Sequence, residues 1–254
     1  MEIKPRTASV MFTGGVDSTL AAALLLEEYD QVYLVTYDYG AELFMKNCEK
    51  SLNQLIEAYG REKIHHEYIK VEKWWRDIQI RNASQFNLVC MSCKFIMHTR
   101  TVCYCLENGI FASSDGSIHE QSQHPEQMGE VLKIMKNYYK SYFIDFTTPA
   151  YTYTKSAEDT KLASIGINMG KRFSIGEAKG SHIHRQPMCL FAFFDVLFSD
   201  NPFFPHKEEK VIEMLNRNLD YGHNLIKEYF KQKELDIQEI VREREKAYGM
   251  LRND

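Results

Sequence analysis

Between Phe12 and Leu20 the chain reads Thr13-Gly14-Gly15-Val16-Asp17-Ser18-Thr19, which gathers glycines, hydroxyls and one acid in a short turn. Ala8 to Phe12 is small or apolar apart from Ser9 and predicts a buried strand. Leu20 to Leu26 is an apolar run of strong helix formers that ends at Glu27-Glu28. Glycines let backbone approach a ligand without interference from a Cβ. A helix that starts directly after them aims its unpaired N–H groups, and the positive end of its dipole, into the turn. That combination suits a phosphate. The plainer reading is a strand–turn–helix corner in which Asp17 or Ser18 only caps the helix. The run is not GxxxxGK[ST], because no lysine follows the second glycine, and it is not GxGxxG.

A second set of reactive side chains lies at Cys90-Met91-Ser92-Cys93, opening a helix that the spacing carries to Glu107. At a helix start the dipole favours thiolates, which are ligands for soft metals and nucleophiles in sulfur transfer. Two cysteines cannot close a zinc or iron–sulfur site. The next candidate, Cys189, comes 96 positions after Cys93. Cys103 and Cys105 lie in an apolar stretch and read as core thiols, and Cys48 as a core or surface residue of the second helix. Lys179, His182, His184 and Arg185 form a polar segment that reads equally as a cationic site and as a surface loop. The stretch Asp115 to Met128, with His119 and His124, is long and polar, and a solvated excursion is its default reading.

The elements that must position these residues alternate. Strands are predicted over Ala8–Phe12, Gln31–Tyr37, Lys63–Val71, Ile110–Ser113 and Ser141–Thr147. Helices are predicted after the first turn, over Ala41–Tyr59 with Leu43 and Phe44 as core contacts, over Cys90–Glu107, and over Lys155–Ile165. The opening β-α-β-α-β order predicts an α/β fold with a Rossmann-like, doubly wound parallel sheet, whose ligands bind beyond the carboxyl ends of the strands. Residues 1–200 are expected to form the catalytic domain. Residues 201–254 are expected to form an amphipathic helical extension that packs on the sheet or on a second subunit, so a homodimer is one expected state.

Taken whole, Thr13-Gly14-Gly15-Val16-Asp17-Ser18 resembles the SGGxDS signature of the PP-loop ATP pyrophosphatases, with Thr in place of the first Ser. The resemblance implies an adenine nucleotide α-hydrolase-like fold and cleavage of Mg²⁺-bound ATP between its α and β phosphates. AMP is left on a substrate oxygen, and a nucleophile then displaces it. It assigns Thr13, Gly14, Gly15, Asp17, Ser18 and Thr19 to the phosphates, and Asp17 to catalysis as well. Thr36, Tyr37 and Tyr39 at the end of the second strand, and Ser113 at the end of the fourth, would face the nucleotide. Lys179 would attend the leaving pyrophosphate. The CxxC pair with a distant third cysteine is similar to the PP-loop tRNA thiolases. That similarity implies Cys90, Cys93 and Cys189 as ligands of a [4Fe–4S] cluster (or of zinc), or as thiols that pass on a persulfide from a sulfur-donor protein. Tyr37-Asp38-Tyr39-Gly40 and Leu162-Ala163-x-x-Gly166 resemble the 7-cyano-7-deazaguanine synthases, which implies ammonia-dependent amide or nitrile formation as the alternative. Those synthases carry a four-cysteine zinc site, and this chain has only Cys189 after residue 105. A non-catalytic ATP sensor is the reading from another class.

Composition narrows the partners. Of 254 residues, 44% are hydrophobic and the net charge is −4, so whole-chain electrostatics do not argue for nucleic acid. The acceptor stays open between a tRNA base and a small molecule. No apolar run approaches the ~18 residues of a membrane span, which makes a cytoplasmic location the expectation.

Overall fold

Thr7–Met11 and Gln31–Asp38 bury side chains on both faces, the pattern of strands covered by helices on each side of a parallel sheet. The computed structural model describes residues 6–170, 187–190 and 207–251. In chain order the elements are β1 (Thr7–Met11), α1 (Val16–Glu28), β2 (Gln31–Asp38), β3 (Glu42–Leu43) and α2 (Glu49–Tyr59). They continue with β4 (Ile64–Lys70), α3 (Glu72–Arg81), α4 (Val89–Glu107), β5 (Ala112–Ser114) and α5 (Gly129–Lys140). The last are β6 (Asp145–Thr147), α6 (Lys155–Ser164), β7 (Met188–Cys189), α7 (Glu208–Gln232) and α8 (Ile237–Leu251). Five strands form a parallel sheet in the order β4-β2-β1-β5-β6, and β3 pairs antiparallel with β7. The expected doubly wound α/β class is what the chain adopts.

The described residues fall into two compact units, each assembled from three separate pieces of chain. The first takes its residues from Met1–Glu72, Ser114–Gln121 and Thr148–Phe204, the second from Lys73–Ser113, Ser122–Thr147 and Pro205–Asp254. In the first unit β1 and β2 are in register from Thr7↔Gln31 to Met11↔Val35, and β2 and β4 from Val32↔Ile64 to Asp38↔Lys70. Helix α1 buries Leu20, Ala21, Ala22 and Ala23 completely, and the small alanines let it lie close to the strands. Helix α6 starts on Thr154, whose hydroxyl accepts from Ala157 N at 3.2 Å.

The second unit is helical around Phe95, Tyr138, Tyr139 and Phe230, all buried. Helix α7 approaches α4 and α5 at Gly222, where a Cβ would lie 2.6 Å from Tyr138 Oη and 2.7 Å from Phe95 Cζ. Helix α8 contributes Arg244, which is 6% exposed. Its guanidinium donates to the carbonyls of Tyr142 (3.0 Å), Phe143 (3.3 Å), Cys105 (3.5 Å) and Ile110. It also lies 3.9 Å from the centroid of the Phe111 ring. Burial lowers its pKa to about 10, so it stays charged at neutral pH.

Three local expectations are corrected. The helix predicted over Ala41–Tyr59 is instead strand β3, a 3₁₀ turn at Met45–Cys48, and then α2 from Glu49. Leu43 and Phe44, expected in the core, are exposed. The fourth strand is shifted by a residue or two, and the fifth is shorter, because Phe143 sits at φ +54° and ends the turn before it.

Candidate nucleotide-binding site

The turn between β1 and α1 is built as the sequence suggests. Gly14 sits at φ +75°, a conformation open to glycine, and Gly15 is the N-cap of α1 in extended geometry. No side chain caps this helix, which removes the plainer reading of Asp17 and Ser18 as caps. Instead the hydroxyls hold the turn to itself. Ser18 Oγ donates to Gly15 O at 3.2 Å, accepts from Thr13 N at 3.3 Å and lies 3.1 Å from Thr13 Oγ1. Thr19 Oγ1 donates to Gly15 O at 2.7 Å, and the residue is fully buried. Thr19 was expected among the phosphate donors. Its hydroxyl braces the glycine turn.

Two further pieces of chain close around the same corner. Ser51, buried on α2, donates to Gly14 O at 2.7 Å. The second is the start of the polar stretch expected to be a solvated excursion. Asp115, Ser117 and Ile118 are buried, and Asp115 accepts from Ser117 N (3.0 Å) and Ser117 Oγ (2.9 Å). Between them Gly116 passes so near the start of α1 that a Cβ would fall 2.6 Å from Ser18 N and 2.8 Å from Asp17 C. Gln121 Nε2 then reaches Asp17 Oδ2 at 3.4 Å. The signal in the sequence was Asp115-Gly116-Ser117 directly after a strand, an acid–glycine–hydroxyl run much like the first turn.

At the end of β2, Thr36 Oγ1 donates to Phe12 O at 2.7 Å and lies 2.9 Å from His66 Nε2. Thr36 is buried and braces β1 against β2 and β4. Burial holds the His66 pKa at about 4, so the ring is neutral at physiological pH. Tyr37 and Tyr39 are buried. Glu42 folds back so that its carboxylate accepts from Tyr39 N (3.1 Å) and Ala41 N (3.2 Å). Burial nevertheless raises its pKa to about 7, with Asp38 adding repulsion. Across the β3–β7 ladder Glu42 stands opposite the half-exposed Cys189.

Cys90 and Cys93 belong to the second unit, in the first turns of α4. Cys90 is exposed, while Cys93 Sγ receives Trp75 Nε1 at 2.7 Å and Gln79 Nε2 at 3.6 Å. Cys103 and Cys105 are buried, as expected of core thiols, and burial pushes the Cys103 thiol far up. Ser113 is buried in β5, also in the second unit. Lys179, His182, His184 and Arg185 lie outside the described residues. Among the described residues no three His, Cys, Asp or Glu side chains group as metal ligands.

A family model described as "Queuosine biosynthesis protein QueC" matches residues 7–85, the stretch that holds the glycine turn, β2 and β4. The match covers less than a third of the chain. Among solved structures, the chain is similar to a 4-thiouridine synthetase crystallised with RNA and bound ATP. The TM-score is 0.59 with 16% identity, over 89% of this chain and 53% of the other, so it spans about half that enzyme's length. Looser likenesses are an NMN synthetase from Francisella tularensis and the U34-tRNA thiolase NcsA from Methanococcus maripaludis, which holds a [4Fe–4S] cluster. The first has a TM-score of 0.47 and 15% identity, over 87% of this chain and 86% of that one. The second has a TM-score of 0.41 and 12% identity, over 87% and 73%. Of these three, the 4-thiouridine synthetase likeness bears on the fold. No curated protein sequence matches. No described helix is long and apolar enough to cross a membrane.

Proposed function

We propose that this protein is an ATP-dependent PP-loop enzyme that adenylates an oxygen of a nucleobase-type substrate and then replaces that oxygen with sulfur. The observation that carries the reading is the glycine turn at the head of an uncapped α1, closed from the side by Gly116. In the first step a substrate oxygen attacks the α-phosphorus, and the bond from that phosphorus to the bridging oxygen breaks. The electron pair leaves with pyrophosphate. The N–H groups around Gly14 and Gly15 and the dipole of α1 would stabilise the charge that builds on the phosphates. Asp17, at the mouth of the turn, would hold Mg²⁺ there.

In the second step the terminal sulfur of a persulfide attacks the activated carbon, and AMP departs with the C–O electron pair. Cys90 and Cys93 are three apart on the first turns of α4, a spacing that suits a transient disulfide once the sulfur has gone. An external persulfide donor loads the pair and an external dithiol resets it. Cys189 is the other thiol of this reading. Two N–H donors converge on Cys93 Sγ, an arrangement fit for a thiolate carrier.

The family-model match over 7–85 favours a second reading, in which ammonia takes the place of sulfur on a deazapurine-like acid. Product analysis separates these readings from a passive ATP sensor. Acceptor-stimulated formation of AMP and pyrophosphate from ATP is expected, lost in Asp17→Ala. A sensor makes neither product. Cys93→Ser would stop sulfur incorporation and leave an ammonia-dependent reaction intact.

A further inference from the structure

Phe44 carries two costs at once. It is 58% exposed, and it sits at φ +59°, ψ +42°, the left-handed region that a bulky L residue rarely enters. A glycine or asparagine would meet the turn without strain, and a lysine would meet the solvent without apolar exposure. The conformation is nevertheless pinned from both sides. Before it, Leu43 pairs with Met188 on the β3–β7 ladder. After it, Asn47 N donates to Phe44 O at 2.9 Å, and Tyr68 Oη lies 3.3 Å from Cys48 Sγ and donates to Glu49 Oε1 at 3.2 Å, fixing the start of α2. Strain maintained in this way is characteristic of ligand-binding residues. Phe44 also follows closely on the carboxyl end of β2, the edge at which open parallel sheets take their ligands. Glu42 and Cys189 face one another on the same short ladder.

We infer that Phe44 is the stacking platform for the planar heteroaromatic acceptor of this enzyme, a free purine-like base or the same ring within RNA. Among the described residues, the exposed apolar side chains of this ladder, Leu43 and Phe44, are too little for a stable protein interface, which takes about 800 Å² from each partner. One ring matches one face of a base. The nearby Glu42 carboxyl supplies an acceptor of the kind that amino edges of bases use. The inference rests on the proposed function for the identity of the acceptor, but not for the strain or the exposure.

The test measures binding of 7-deazaguanine, of a short single-stranded RNA and of ATP to the wild type, Phe44→Trp, Phe44→Ala and Phe44→Gly, with Tm and sedimentation of each. Phe44→Ala and Phe44→Gly should weaken the base-bearing probe by roughly 5- to 150-fold, the usual loss of one stacked ring. Phe44→Trp should retain it, and ATP affinity should not change. Phe44→Gly should match or exceed the wild-type Tm, since the left-handed position then holds its preferred residue. The probe that binds tells a free base from RNA. Unchanged base binding in Phe44→Ala overturns the inference, as does a parallel loss of ATP affinity. A lower Tm in Phe44→Gly, or a wild-type dimer lost in the variants, overturns it too. A wild type that binds ATP but neither probe ends this inference alone. A wild type that binds no ATP ends the proposed function.

Discussion

The glycine turn of the first unit and the Arg244 site of the second solve opposite problems with backbone polar groups. Around Arg244 the chain brings several carbonyls to one buried place, and a single guanidinium from α8 answers them. At the head of α1 the chain brings backbone donors to one place and supplies no side-chain cap. Nearby hydroxyls instead lock the turn's own carbonyls, through Ser18, Thr19 and Ser51. The first arrangement is complete without a guest and belongs to stability. The second is rigid but electrostatically unfinished, which is what an anion site requires.

Arg244→Met gives the largest effect, because it strands buried carbonyls. It should cost about 3 kcal/mol or more in urea denaturation, while protein that remains folded still binds ATP. A smaller loss would mean that water replaces the guanidinium and that the site is less closed than described. Gly116→Ala comes next. A methyl group 2.6 Å from Ser18 N must push the corner open, so ATP affinity measured by calorimetry should fall at least tenfold, about 1.4 kcal/mol. An unchanged ATP affinity would break the comparison, since the Gly116 strap would then be irrelevant to the site.

The smallest effect is on pH dependence at Glu42. Its folded pKa of about 7 lies above the ordinary carboxylate value, so the native state keeps a proton that the unfolded chain has released. Stability from this group is full below about pH 4.3 and is lost as pH rises to 7. Glu42→Gln should therefore gain on the wild type between pH 5 and pH 8, by about 1 kcal/mol or less given partial exposure. His66 works in the other sense, its stability lost as pH falls towards its folded pKa of about 4. It is common to both proteins and cancels in the difference.

The sequence revealed what is periodic and local. Thr13–Ser18, the strands on either side of α1, and α4 from the CxxC pair onward follow from short-range pattern. It failed where long-range packing decides. Leu43 and Phe44 have helical spacing with Leu52 and Leu55, but pairing with Met188 draws Leu43 into a strand that no local signal announces, and Phe44 follows it in a left-handed turn. The run after Asp115 looks solvated by composition, yet its acid and hydroxyl satisfy each other and can therefore be buried. The hydroxyls of Thr19 and Thr36 turn inward onto backbone carbonyls, which residue type alone does not announce.

The interleaved path has a bearing on how such a molecule can be altered. Because each unit draws on three stretches separated along the chain, neither corresponds to one continuous piece of gene. Cutting away residues 205–254 would strip α7 from Phe95 and Tyr138 and take Arg244 from its carbonyls. Recombination by swapping whole ends is thus closed to this protein, and new specificities must enter through short insertions or single residues at the sheet's carboxyl edge.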